Sequence, residues 1–215
     1  MEPWQAVDKF LEGLLAPEDH ILAAALRTAE QAGMPSIQVS AMQGQFLYIL
    51  ARAIGARRIL EIGTLAGYSG IWLARALPAD GLLVTLEAEP KHAEVARANF
   101  ATAGLAERIE LRVGPALETL PSLLPEFASG FDLCFLDADK PNLPNYFKWA
   151  QQLTRKGGLI ISDNVVRNGQ VVEGQDANSA GARALLQTLG RSTNNTVIQT
   201  VGSKGYDGFA LTIVE

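Results

Sequence analysis

The chain has little of what several kinds of site require. Its 215 residues include a single cysteine, Cys134, and only two histidines, so no internal disulfide can form. No apolar stretch approaches the roughly 20 residues that a membrane span needs, and "ILAAAL" and "GLIIS" read as core elements instead. Lysine and arginine are scattered, and the formal net charge is −5 with a pI near 5.2. That balance argues against non-specific nucleic-acid binding, which depends on clustered cations. The opening "MEPWQAVDKF" lacks the basic start and apolar run of a secretion signal, so a cytoplasmic location is expected. Internal repeats, low-complexity segments and single-sign charge blocks are also missing. A small molecule, neither nucleic acid nor membrane, is the expected partner.

What is present is enough apolar residue for a sizeable core, 48% of the chain, and an ordered change of pattern along it. Residues 1–215 are expected to form one domain, with helices over 1–55 and an α/β sheet core over 56–215. Helices are predicted at Pro3–Leu14, Glu18–Ala32 and Ala41–Ala53, the last with Ser40 and Gln43 as a capping box. From Arg58 short apolar runs alternate with amphipathic stretches: "RRILEI", "LLVTLE", "IELRV", "FDLCFLD", "GLIIS", "TVIQTV" and "GFALTIV". Helices are predicted between them at Tyr68–Leu77, Pro90–Ala103, Ala116–Leu124, Asn145–Leu153 and Asn178–Leu189. Strands covered on both faces and alternating with helices predict a parallel, doubly wound sheet. The short "GSKGYD" between the last two runs leaves no room for a helical crossover, so those strands should pair antiparallel.

Two motifs fall at predicted strand ends, where open α/β sheets bind ligands. "EIGTLAGYSG", Glu61 to Gly70, leads from the first strand into a helix. Its glycines permit a tight turn and close backbone approach to a ligand, but their spacing is not G-x-G-x-x-G. Glu61 would repel a pyrophosphate and accept from a cationic group. Glu87 ends the second strand, where a carboxylate can accept both hydroxyls of a ribose. An adenosine bearing positive charge and no phosphates, S-adenosylmethionine, satisfies both. The bland alternative is a packing turn flanked by solvated strand-end acids.

"FLDADK" closes the fourth strand with Asp137, Asp139 and Lys140, and "ISDNV" closes the fifth with Asp163 and Asn164. Adjacent strands lie about 4.8 Å apart, so these side chains can converge. Two carboxylates and an amide oxygen form a hard set that suits Mg²⁺ or Ca²⁺ better than zinc. A substrate with two neighbouring oxygens could complete the coordination, and Lys140 is placed to take a hydroxyl proton. Alternatively, the aspartates cap loops and Lys140 neutralises them.

With "QGQFL", "LEIGTLAGYS", "GPALETL", "LDADK" and "DNVVRNG" the chain resembles the cation-dependent catechol-type O-methyltransferases, particularly the caffeoyl-CoA O-methyltransferase-like group and its bacterial branch. The likeness runs from about Gln38 to the C-terminus, and "DADK" followed by "DN" is its most specific part. The resemblance implies the class I S-adenosylmethionine-dependent methyltransferase (Rossmann-like) fold, a seven-stranded mostly parallel sheet with an antiparallel last strand, usually in a homodimer. It assigns S-adenosylmethionine to Val39, Glu61, Gly63, Thr64, Ser69, Glu87, Ala116 and Asp139. The metal, Mg²⁺ or another divalent cation such as Mn²⁺ or Ca²⁺, goes to Asp137, Asp163 and Asn164. Lys140 would be the base and Asn168 a substrate contact. Val39 replaces a common threonine, while Leu143 and Arg167 replace a usual tyrosine and tryptophan and bear on the acceptor pocket. The implied activity is methylation of one hydroxyl of a vicinal diol on a catechol, hydroxycinnamoyl or flavonoid-like phenol.

His20 and His92 fall on predicted helices away from the strand ends and are expected to be non-catalytic. Cys134 alternates within a buried strand and reads as core. Trp4, Trp72 and Trp149 read as packing residues, Trp4 with a possible dimer contact. Two rivals are a nicotinamide oxidoreductase, disfavoured by Glu61 and the glycine spacing, and a binding module that has lost its chemistry, disfavoured by the intact acid and lysine set.

Overall fold

The computed structural model describes residues 2–15, 19–202 and 204–215. Three helices come first: α1 (Pro3–Leu15), α2 (His20–Gln31) and α3 (Ala41–Ala53). The expected start of the second helix at Glu18 lies outside the described residues. Asp19 caps that helix, accepting from the N–H groups of Ile21 at 2.9 Å and Leu22 at 3.1 Å. Ser40 caps α3 by accepting from Gln43 N–H at 3.2 Å. The expected return arm of a capping box is not formed, because the Gln43 amide reaches Asp163 instead.

The sheet follows as β1 (Arg58–Ile62), β2 (Leu82–Glu87), β3 (Ile109–Val113), β4 (Phe131–Leu136), β5 (Thr154–Asp163), β6 (Asn195–Gly202) and β7 (Gly205–Ile213). Between them run α4 (Tyr68–Ala76), α5 (Pro90–Thr102), α6 (Ala116–Glu126), α7 (Leu143–Leu153) and α8 (Ala177–Leu189). The strand order is β3-β2-β1-β4-β5-β7-β6, parallel except that β7 runs antiparallel to both neighbours. The last hairpin is tighter than expected: Gly202 pairs with Gly205, so the strands extend into the segment expected to connect them.

Strand alternation sorts the core into two layers. Ile59, Leu133, Phe135 and Ile161 face α3, α4 and α5, whereas Leu60, Ile62, Cys134 and Ile160 face α6, α7 and α8. The central strands are covered on both faces as expected. The edge strand β6 is not: its residues are exposed or half-buried throughout. The chain leaves β1 toward β2 and β3, then returns to β4 and β5 on the other side. This reversal opens a crevice at the carboxyl ends of β1 and β4.

Candidate active site

The crevice is built from four strand ends. At β1, Gly63 takes φ +103°, and a Cβ there would lie 2.4 Å from the Asp137 carbonyl oxygen. The loop therefore crosses the end of β4 with no room for a side chain. Asn99 of α5 supports the same loop, donating to the Ala66 carbonyl at 2.9 Å. Glu61 lies beneath it with no solvent exposure. Its two oxygens accept from Ser69 Oγ and Thr85 Oγ1, both at 2.6 Å. Burial raises its pKa from 4.5 to about 7, and the charges of Asp137 and Glu87 add to the rise.

Glu87, at the end of β2, turns toward that loop. One oxygen accepts from the N–H groups of Thr64 at 3.2 Å and Leu65 at 2.8 Å, and the other from Glu89 N–H at 3.0 Å. A carboxylate offers about four lone-pair sites, so a two-hydroxyl ribose grip requires the loop to release part of its hold. His92 Nδ1 lies 3.5 Å from the same carboxylate, and His92 lines the cavity. This corrects its expected place away from the strand ends: the first turn of α5 starts three residues after β2 ends and keeps His92 beside Glu87.

At β4, the Asp137 N–H donates to the Ile62 carbonyl at 2.9 Å. Lys140 Nζ donates to Asp137 Oδ1 at 2.9 Å, and Lys140 is buried. A Cβ on Gly181 would lie 2.0 Å from the Lys140 carbonyl oxygen, so α8 presses on the lysine turn. Asp139 accepts from Asn142 Nδ2 at 2.8 Å and from the Tyr146 hydroxyl. That carboxylate, together with burial, raises the Tyr146 pKa, burial being the larger cause. Asp163 closes β5, accepting from Gln43 Nε2 at 2.7 Å and Asn164 N–H at 2.8 Å. Burial foremost, then the neighbouring Asp137 charge, pushes its pKa up, with the Lys140 charge opposing. Asn164, Arg167 and Asn168 all have left-handed backbone, with φ of 54°, 57° and 53°.

These strand ends enclose a cavity of about 620 Å³. Every residue singled out from the sequence lines it except Glu61, Asp163 and Asn168, and Leu143 is also absent because it is buried in the core. Asn168 is exposed, with its N–H donating to the Tyr206 carbonyl at 3.0 Å. Tyr146, Asn142, Asn178 and His92 are lining residues that the sequence reading did not select. Cys134 is core as expected; burial pushes its thiol up to about 12. Among the described residues no three His, Cys, Asp or Glu side chains gather as a metal cluster. The expected set depends on the Asn164 amide, which no such combination includes. Its chemistry nonetheless fits a hard cation: the carboxylates of Asp137 and Asp163 are close enough to repel, with the single ammonium of Lys140 against both.

The chain is similar along nearly its whole length to proteins named as O-methyltransferases. A catechol O-methyltransferase of Mycobacterium tuberculosis is 54% identical over 212 residues, covering 97% of this chain and 94% of the relative. A second catechol O-methyltransferase, from Niastella koreensis, is 49% identical over 216 residues, covering 99% and 98%. Among solved structures, an O-methyltransferase from Bacillus cereus in complex with SAH superposes with a TM-score of 0.96 at 46% identity, covering 100% of this chain and 99% of that one. The Streptomyces achromogenes O-methyltransferase of tomaymycin synthesis, in complex with SAM, gives 0.95 at 47% identity with the same coverage. The sequence model of the O-methyltransferase family matches residues 14–210, and the chain belongs to that family.

Proposed function

We propose that the protein transfers a methyl group from S-adenosylmethionine to one hydroxyl of a vicinal diol on a catechol, hydroxycinnamoyl or flavonoid-like acceptor, with help from Mg²⁺ or another divalent cation. The observation that carries this reading is one cavity with Glu87 at one side and the Lys140–Asp137 pair at the other. The relatives named as catechol O-methyltransferases and the neighbours holding SAM or SAH support it. When bound, the donor supplies an electrophilic methyl group, and the cation, held by Asp137, Asp163 and Asn164, supplies Lewis acidity toward the diol.

The chain's own residues do the rest. Lys140, once its ammonium has given up a proton, takes the proton of the attacking hydroxyl at the neutral Nζ amine, and Asp137 balances the ammonium that re-forms. Glu87 accepts from the ribose, and Ser69, Gly63 and Thr64 shape the wall against which the donor lies. Glu61 acts from behind that wall by fixing the hydroxyls of Ser69 and Thr85. Gln43 holds Asp163 from α3. Catalysis of this kind is largely alignment of two reactants. A pyrophosphate cofactor is disfavoured, because the N–H groups of Thr64 and Leu65 already face the Glu87 carboxylate.

The test is transfer of label from S-adenosylmethionine to a panel of catechols, hydroxycinnamoyl thioesters and flavonoids, with Mg²⁺ and with chelator. Transfer that depends on both the diol and the cation supports the reading. Transfer to isolated phenols at equal rate under chelation would replace it with a metal-free mechanism.

A further inference from the structure

We propose that Arg167 recognises an oxyanion on the methyl acceptor, so that the preferred acceptor is a vicinal diol carrying a carboxylate; this rests on the diol-methylation reading above. Two cationic side chains line the cavity near its acceptor side, Lys140 and Arg167. Lys140 has its counter-ion in Asp137. Arg167 makes no ion pair among the described residues, and its Nε is buried with no hydrogen-bond partner. Arg57, Arg75, Arg112 and Arg155 each hold a carboxylate, and among the described arginines without one, Arg167 alone both lines this cavity and leaves a buried donor without a partner. A desolvated guanidinium donor without an acceptor is costly, and a ligand carboxylate is the group that its planar fork fits best.

The main chain that carries this arginine is held in place. Arg167 has φ 57°, a region that a residue with a Cβ occupies only when its surroundings impose it. Asp207 imposes it: its Oδ1 accepts from the N–H groups of Val166 at 3.0 Å and Arg167 at 2.9 Å, and also from Gly208 at 2.9 Å. The following turn is pinned to α8, where Arg183 donates to the carbonyls of Val171 at 2.7 Å and Gly174 at 2.6 Å. A side chain carried on a fixed backbone at the cavity wall has less freedom to lose when it pairs, which favours its use in selecting a ligand.

The experiment compares 3,4-dihydroxybenzoate with its methyl ester, which keep the same diol and differ in charge. In the wild-type enzyme the acid should exceed the ester in kcat/KM by about ten- to a hundredfold, the range of a charge-assisted pair. In Arg167→Met that ratio should collapse toward one, and in Arg167→Lys it should be partly kept. Calorimetric titration of both compounds into enzyme loaded with S-adenosylhomocysteine and Mg²⁺ reads the same ratio without turnover. An acid-to-ester ratio equal in wild type and Arg167→Met, by kinetics or by binding, overturns the proposal. Failure to methylate any diol would overturn the reading it rests on, and the binding ratio would still decide the role of Arg167.

Discussion

Lys140 and Glu61 are both buried ionisable side chains near strand ends, yet substitutions separate their roles. Lys140→Met keeps the stem's volume and removes the proposed base. Its kcat should fall at every Mg²⁺ concentration while S-adenosylmethionine affinity persists, and raising the pH should partly restore turnover, since a metal-bound hydroxyl then ionises unaided. Near-normal turnover at neutral pH would reduce the lysine to a counter-ion of Asp137. Glu61 makes a prediction about stability. Folded, its carboxyl keeps a proton up to about pH 7; its ordinary value is 4.5. Between those values the folded chain binds more protons than the unfolded chain, so stability declines as pH rises, and the full penalty stands above 7. Removing this slope with Glu61→Gln should raise stability relative to wild type by about 3 kcal/mol between pH 4.5 and 7.5. Denaturant melts of both proteins across that range check it; parallel curves would mean Glu61 is ionised in the fold. At Glu87, replacement by alanine removes a ribose acceptor and a loop anchor together. Donor affinity should drop about tenfold or more, and unchanged calorimetric affinity would take the residue out of the donor site.

At the scale of elements, the contact between α3 and α4 is set by Gly44, where a Cβ would lie 2.3 Å from the Trp72 indole. Gly44→Ala should cost about 1–3 kcal/mol, as overpacking does, and alter tryptophan emission; an unchanged melt would show that the helices part freely. The helices and strands were legible from sequence because apolar period and caps agree, as at Ser40 and α3. What escaped depends on partners distant in the chain. Gln43 was expected to close its own cap, but it reaches Asp163, 120 positions away. His92 looked remote because helix assignment alone does not report that the first turn of α5 sets its imidazole beside Glu87. Glu61 was legible as a strand-end acid, whereas its complete burial between Ser69 and Thr85 emerges only when three elements meet. The hairpin of β6 and β7 was read correctly as antiparallel, and its tightness followed from backbone pairing that side-chain pattern does not report.

For the whole molecule, α1 has no buried residue, and Val7, Phe10 and Leu14 are 52%, 65% and 62% exposed. The adjoining edge strand β6 exposes Val197, Ile198 and Val201. Apolar surface of this kind is what the homodimer implied by the resemblance would cover, and we propose that it does so. Phe10→Glu should shift the sedimentation of the protein toward the monomer, and a wild type already monomeric at micromolar concentration would refute the assembly. The two halves of the sheet divide the proposed work: β1 and β2 carry the donor side, and β4 and β5 carry the acceptor side. They meet where Gly63 passes beneath the Asp137 carbonyl with no space for a methyl group. The span between the two reactants is thus set by main chain, within reach of a side-chain change at Gly63 and not of one in the acceptor wall. Replacing residues around position 167 would retune which molecule is modified while leaving the stroke length of the transfer untouched, so that a lineage built on this frame can exchange acceptors without rebuilding its reaction.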